Sequence, residues 1–270
     1  MYGAIYGDII GSYYEVHSTK DVNFKFHRDS TFTDDTVLTA AVCKAILDNP
    51  LPIKSKELNK RAFEYAVRYK QYYSFYPNAG YGQMFSKWAA DRSDLSKQHS
   101  YGNGAAMRSA PIGYAFDDIE QVLLQAKASA VYTHDNREAI RGAQAVASAV
   151  FLANNGARKS DIREYVCRKF KYDLDSSVNE IRNGYTFDSR ADRSVPQAII
   201  AFLDSEDYES AVRNAVSLGG DADTMACISG AIAEAFYHNI PDQIVKFCNS
   251  RIDYTIKSVI NEFKKRYSLP

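Results

Sequence analysis

Two short segments concentrate carboxylates and hydroxyls directly before apolar stretches: residues 32–36 (FTDDT) and residues 219–224 (GGDADT). A single Asp or Thr suffices to cap a helix, and acidic residues in a first turn complement the helix dipole. Each segment nevertheless carries two carboxylates and at least one hydroxyl, which is more than capping needs. Adjacent carboxylates repel unless cations neutralise them, and their oxygens suit Mg²⁺ or Mn²⁺. The sequence therefore predicts a paired-metal site, provided that the fold brings the two segments together.

A third segment, residues 7–15 (GDIIGSYYE), adds the carboxylates of Asp8 and Glu15. We expect it to form a loop as well, with glycines that permit a close approach of the backbone. This segment is thus the third that combines acidic residues with glycine or threonine.

The elements that must position these segments have helical periodicity. Small or apolar residues return every three or four positions over residues 37–47, 58–72, 122–131, 139–153 and 225–237. Alternation typical of strands is almost absent, and residues 183–194 are predicted to be irregular. The chain reveals no low-complexity linker and no internal repeat. We predict an all-α fold with a single domain over residues 1–270.

Composition narrows the class of protein. Of 270 residues, 46% are hydrophobic, and 33 acidic residues balance 33 basic ones, so that the net charge argues against a nucleic-acid partner. The chain has no signal-peptide pattern and no apolar run that could span a bilayer. Its four cysteines show no metal-ligand spacing and are predicted to be reduced, buried thiols. We expect a cytoplasmic protein that acts as a monomer, away from membranes.

The tyrosines form a dense run at residues 65–76. Amphipathic packing at the edge of the core is the favoured explanation. The alternative is that one or two of these rings line a pocket for a base or a sugar.

The motifs GDIIGSYYE, FTDDT and GGDADT resemble the signatures of the ADP-ribosylglycohydrolases, of the dinitrogenase-reductase-activating glycohydrolase type. Residues 102–108 (GNGAAMR) resemble another signature of that family, as do Thr133 and His134 followed by Ala139 and residues 142–143. The motifs occur in the order found in the family, and together they are highly specific.

This resemblance implies an all-α, orthogonal multi-helix fold with two Mg²⁺ or Mn²⁺ ions in a cleft. The implied metal ligands come from both acidic segments: Thr33, Asp34, Asp35, Asp221, Asp223 and Thr224. Asp34 or Asp223 is the expected bridging ligand. Asp35 is the first candidate for activating water, and Glu15 is the second, with a gating role.

The resemblance also implies contacts with the substrate. Asn103, Gly104 and Ala105 would hold the diphosphate and the neighbouring ribose through backbone N–H groups, as a Gly-rich helix start can. Met107 would lie in the same pocket and His134 would line the ribose, although an isolated histidine is more often structural.

The implied reaction is hydrolysis of the N- or O-glycosidic bond between ADP-ribose and an acceptor on an ADP-ribosylated protein or another conjugate. ADP-ribosyl-arginine is the leading acceptor, while serine-linked ADP-ribose, O-acetyl-ADP-ribose and poly-ADP-ribose stay open. Two other classes of protein are alternatives. One is a non-catalytic relative that binds ADP-ribose, and the other is a metal-dependent phosphohydrolase that would release AMP.

Overall fold

The computed structural model describes residues 1–269 as a succession of helices. In chain order they are α1 (Tyr2–Val16), α2 (Asp34–Asp48), α3 (Leu58–Phe75), α4 (Gln83–Ala90), α5 (Gly104–Met107), α6 (Ala110–Ala115), α7 (Ile119–Ala130), α8 (Arg137–Asn154), α9 (Lys159–Phe170), α10 (Val178–Arg182), α11 (Ala191–Leu203), α12 (Tyr208–Ser217), α13 (Ala222–Tyr237), α14 (Asp242–Asn249) and α15 (Tyr254–Arg266). A 3₁₀ turn, Ser55–Glu57, precedes α3. Within residues 1–269 there is no β-sheet, which confirms the all-α prediction.

The long helices coincide with the periodic segments of the sequence. The apolar stretch that follows the first acidic segment lies in α2, and Thr33 caps this helix by accepting a hydrogen bond from the Asp35 N–H. The alanine-rich stretch lies in α8, where Asn136 is the cap. Small residues are buried along much of α8 because α6, α7, α11 and α13 all pack against it. Local periodicity and capping therefore explain the main elements of the fold.

Residues 7–15 are helical, so the prediction that they form a loop is wrong. They belong to α1, and the glycines at positions 3, 7 and 11 lie one helical turn apart on the face that meets α13. A Cβ at Gly7 would lie 2.1 Å from the carbonyl oxygen of Ala226, and one at Gly11 would lie 2.4 Å from that of Ala222. These glycines allow two helices to approach closely, which brings the acidic residues of α1 beside the start of α13.

The predicted irregular stretch is shorter than expected. Residues 183–190 follow α10 without regular structure, but α11 already begins at Ala191. The Ala191 N–H donates to the Tyr101 carbonyl at 3.0 Å, and the Asn103 N–H donates to the Ser189 carbonyl at 2.8 Å. These bonds, with isolated bridges between His99 and His134 and between Gly102 and Arg190, fix the segment before α5.

Nearly all of the buried apolar side chains form one cluster from Met1 to Phe263, and a small second cluster holds Ala105, Ala130 and Ala143. Tyr65, Tyr69 and Tyr72 belong to the large cluster, which supports the packing explanation for the tyrosine run. All four cysteines are free; Cys167 is half-buried and the other three are buried. No helix in the described part of the chain is long and apolar enough to cross a membrane.

Candidate active site

Almost every residue that the motifs had singled out lines one cleft of about 320 Å³. The predicted site residues that line it are Glu15, Thr33, Asp34, Asp35, Asn103, Gly104, Met107, His134, Asp221, Asp223 and Thr224. The Ala105 side chain is fully buried against Ala130 and Ala143, away from the cleft. A role for Ala105 therefore depends on its backbone N–H in the first turn of α5, where N–H groups have no partner within the helix.

The two acidic segments meet directly. The hydroxyl of Thr224 donates to Asp35 Oδ2 at 3.1 Å, across 189 positions of sequence. Carboxylate oxygens of Asp8, Asp35 and Asp223 lie within 4.8 Å of one another, and those of Glu15, Asp221 and Asp223 do so as well. Asp223 is the member that the two groups share.

Asp8 holds the first acidic segment in place. Its carboxylate accepts four hydrogen bonds, from the backbone N–H and the hydroxyl of both Thr33 and Thr36. Asp8 is fully buried, and burial raises its pKa to about 6 in spite of these bonds. Thr33 is thus fixed by Asp8 on one side, while its oxygen also accepts the 3.4 Å contact from the Asp35 N–H.

The remaining carboxylates lie in an environment that disfavours their charges. Burial, followed by the negative charges of Asp8 and Asp221, raises the pKa of Asp34 to about 8. Burial and neighbouring carboxylates also raise the pKa values of Asp35 and Asp223 well above the usual range for aspartate. Such a cluster is stable as anions only when cations neutralise it.

The donor set fits a hard divalent cation. Oδ1 of Asp35 is buried without a hydrogen-bond partner, although Oδ2 of the same carboxylate is bonded to Thr224. A buried oxygen of this kind requires a partner, since an unsatisfied polar atom is costly. The two clustered groups, Asp8 with Asp35 and Asp223 and Glu15 with Asp221 and Asp223, offer carboxylate oxygens, as Mg²⁺ and Mn²⁺ prefer.

Asn103 contacts the metal-site side of the cleft. Its Nδ2 donates to Asp221 Oδ2 at 2.8 Å and to Ser194 Oγ at 3.1 Å, and its backbone N–H is bonded to Ser189. The Asn103 N–H is therefore not free for a diphosphate, in contrast to the expectation from the motif. Asn103 instead orients Asp221, and the N–H groups of Gly104 and Ala105 are left for an anion.

Glu15 and His134 mark two further parts of the cleft. Glu15 lies near the end of α1, and its side chain is largely exposed. Partial burial of the carboxyl group, followed by the charges of Asp221 and Asp8, nevertheless raises its pKa. His134 is buried with its ring against the 102–104 turn. A Cβ at Gly104 would lie 3.2 Å from both Cε1 and Nε2 of His134, a closer approach than most Cβ contacts, so the ring lies tightly against this turn.

Asp8 stood out in the GDIIGSYYE motif, but its bonds to Thr33 and Thr36 depend on the fold. Sequence reasoning missed other residues, which line the cleft itself. Phe187 and Ser189 line the cleft from the segment that had matched no motif. Nothing in their local pattern could have indicated this, because a tertiary contact with residues 102–103 places them.

Comparisons with known proteins identify the family of the chain. Residues 1–268 match the family model described as ADP-ribosylglycohydrolase. The chain is 28% identical to the ADP-ribosylhydrolase ARH3 of Homo sapiens over 349 aligned positions, which cover 97% of this chain and 92% of the human protein. It is also 28% identical to ARH3 of Mus musculus, over 91% of this chain and 85% of the mouse protein.

Among solved structures, an "ADP-ribosylglycohydrolase-related protein complex" superimposes with a TM-score of 0.74 at 22% identity, over 99% of this chain and 95% of that one. This similarity concerns the fold. The family model and the curated relatives extend over nearly the whole chain, including both acidic segments. The chain therefore belongs to the ADP-ribosylglycohydrolases, hydrolases of the glycosidic bond to ADP-ribose.

Proposed function

We propose that this protein releases ADP-ribose from an acceptor by hydrolysing the bond at C1″, with two Mg²⁺ or Mn²⁺ ions held between its acidic segments. The observation that carries the proposal is the meeting of residues 33–35 with residues 221–224 on one cleft, joined by the Asp35–Thr224 hydrogen bond. The carboxylates of the two acidic segments repel one another when the fold buries them together, and bound cations would offset this repulsion.

The ligands that we propose are Thr33, Asp34, Asp35, Asp221, Asp223 and Thr224. Asp223 is the proposed bridge because it belongs to both carboxylate groups. Asp8 holds the first acidic segment through its hydrogen bonds to Thr33 and Thr36. Its carboxylate oxygens also lie within 4.8 Å of those of Asp35 and Asp223. When bound, the ions supply positive charge and Lewis acidity at the ribose that carries the reacting carbon.

The side chains of the protein would then supply the proton transfers that the reaction needs. Glycoside cleavage passes through an oxocarbenium-like state, so that a carboxyl group must assist the leaving group or the attacking water. Asp35 is 1% exposed and one of its oxygens is bonded to Thr224, which suits a fixed ligand. Glu15 is exposed at the edge of the other carboxylate group, with Asp221 and Asp223, and its raised pKa favours proton transfer. We therefore assign the acid–base role to Glu15 rather than to Asp35.

ADP-ribose would extend from the metal site along the 102–104 turn. Gly104 and Ala105 offer backbone N–H groups for the diphosphate, and Met107 and His134 provide walls of the same cavity. For the acceptor we retain ADP-ribosyl-arginine on protein, because the motifs resemble that type of hydrolase. The substrate partner is then an ADP-ribosylated protein.

The test is to incubate the purified protein with arginine-linked, serine-linked and O-acetyl ADP-ribose, each with Mg²⁺, with Mn²⁺ and with EDTA, and to identify the products by mass. Metal-dependent release of ADP-ribose from the arginine substrate is the expected result. Release only from the hydroxyl-linked substrates would correct the acceptor while supporting the reaction. Release of AMP would instead indicate a phosphohydrolase and contradict the proposal.

Matched variants connect the activity with the site. Asp223→Asn removes the shared carboxylate and should abolish release, whereas Asp117→Asn changes an exposed aspartate outside the cleft and should leave it unchanged. Binding of ADP-ribose by the wild type without any turnover on the three substrates would support the non-catalytic alternative.

A further inference from the structure

A buried arginine beside the cleft lacks an acidic partner. Arg108 is fully buried, stacks over the Tyr69 ring at 4.1 Å, and forms no ion pair with any carboxylate of residues 1–269. Its Nη2 donates to Thr133 Oγ1 at 2.6 Å and to the Ser129 carbonyl at 3.3 Å. Burying a charge without a counter-charge is costly, so the contacts that it does make require an explanation.

The contact with Thr133 determines where the hydroxyl proton goes. A guanidinium can only donate, so the Thr133 oxygen accepts from Arg108 and its own proton must go elsewhere. The two acceptors in reach are His134 Nδ1 at 2.7 Å and the Ala130 carbonyl at 3.3 Å. The Ala130 carbonyl already accepts the N–H groups of Thr133 and His134, at 3.0 and 2.8 Å. The shorter distance, and the two N–H groups already bonded to the Ala130 carbonyl, favour a hydroxyl proton on the bond to Nδ1 of His134.

An Nδ1 atom that accepts a hydrogen bond carries no proton, so the neutral ring has its proton on Nε2. Burial and the charge of Arg108 also lower the pKa of His134 well below its ordinary value, which likewise favours the neutral ring. Nε2 is on the side of the ring that meets the 102–104 turn, 3.2 Å from a Cβ placed at Gly104 and 3.9 Å from one at Gly102.

We propose that Arg108 and Thr133 are positioning residues that hold His134 as a neutral imidazole protonated at Nε2, so that it donates one hydrogen bond to an oxygen of ADP-ribose at the 102–104 turn. The identity of this ligand rests on the proposed function, whereas the tautomer does not. A histidine held in this way donates a hydrogen bond but has no acidic proton to give to the leaving group. Proton transfer is then left to the carboxylates.

The experiment is ¹⁵N NMR of the imidazole nitrogens at pH 7 in protein labelled at its histidines, with His134 assigned by its loss in His134→Gln. We expect His134 to be neutral, with its proton on Nε2. Thr133→Ser keeps the hydroxyl and should keep this tautomer, whereas Thr133→Val should release Nδ1 and populate the Nδ1–H form. Thr39→Val, which removes a buried hydroxyl that has no partner, is the matched control and should change nothing. A wild-type His134 found as the Nδ1–H tautomer or as the imidazolium would overturn the proposal.

Titration of ADP-ribose into the same variants completes the test. Thr133→Val should weaken binding about fivefold, as the loss of one well-placed hydrogen bond does, while Thr133→Ser and Thr39→Val should bind as the wild type does. Equal affinity of Thr133→Val and the wild type would overturn the link between the tautomer and the ligand. A wild type with the expected tautomer and no affinity for ADP-ribose would count against the proposed function, and so the two failures can be told apart.

Discussion

Removal of the Asn103 side chain should weaken metal binding, although Asn103 is not itself a proposed ligand. The amide Nδ2 is 2.8 Å from Asp221 Oδ2, and Asn103 is 5% exposed, so that water replaces this bond poorly. In Asn103→Ala the Asp221 carboxylate loses the bond that orients it. The same hydrogen bond lowers the pKa of Asp221, which burial otherwise raises, so the variant also favours the protonated form that cannot bind a cation.

The size of the effect follows from the chemistry of this bond. A buried hydrogen bond to a charged group contributes about 2 kcal/mol, which corresponds to a roughly 30-fold change in affinity. Changes at residues that orient metal ligands have effects of about 10- to 100-fold, in the same range. We therefore expect Mn²⁺ affinity to fall about 30-fold in Asn103→Ala. Folding should be retained, because the lost side chain does not belong to the apolar core.

The assay is calorimetric titration of Mn²⁺ into metal-free protein, with the helical content of each variant checked by circular dichroism. Asn261→Ala is the matched control, since it removes an exposed amide that is bonded only to Tyr2 on the far side of α1. It should bind Mn²⁺ as the wild type does. If Asn103→Ala binds Mn²⁺ with unchanged affinity, the claim that Asn103 orients Asp221 for a cation is refuted.

Three further predictions concern the packing and the charges of the site. Gly7→Ala places a Cβ 2.1 Å from the Ala226 carbonyl oxygen and should destabilise the protein by about 3 kcal/mol in urea unfolding, whereas Gly184→Ala, with open space around it, should have little effect. Asp34→Asn should lower Mn²⁺ affinity, measured by titration, while raising the melting temperature of the metal-free protein at pH 7, because an amide needs no proton at this position whereas the carboxyl, with its pKa raised to about 8, must take one up on folding. The melting temperature of the metal-free protein should fall between pH 5 and pH 8: the pKa values of Asp8 and Asp34 are raised to about 6 and about 8, so folding takes up protons in this range. A flat or rising profile would contradict the third prediction, and Mn²⁺ should reverse the fall.

The sequence alone predicts those features of the structure that depend on residues close together in the chain. The helices follow from apolar periodicity, and the acidic segments stand out because Asp and Thr are concentrated within five or six positions of chain. The same local view misjudged residues 7–15. Glycines at positions 7 and 11 resembled a turn, but their spacing of four serves the contact between α1 and α13, which no local pattern identifies.

The finer geometry of the site could not be read from the chain. Asp8 meets Thr33 across 25 positions, and Asn103 meets Asp221 across 118. Each contact joins residue types that are common on any surface, and only the packing of helices selects these partners. The proposed tautomer of His134 depends in the same way on tertiary contacts. Arg108 donates to the Thr133 hydroxyl, and the Ala130 carbonyl already accepts two N–H groups.

The most direct test of the metal site is anomalous X-ray diffraction from crystals of the protein grown with Mn²⁺. We expect manganese peaks in the cleft between residues 33–35 and residues 221–224, with Asp223 contacting both ions, and no such peaks in Asp223→Asn. Manganese bound by only one of the two acidic segments, or a cleft without manganese at millimolar Mn²⁺, would contradict the claim that the two segments together form the catalytic metal centre.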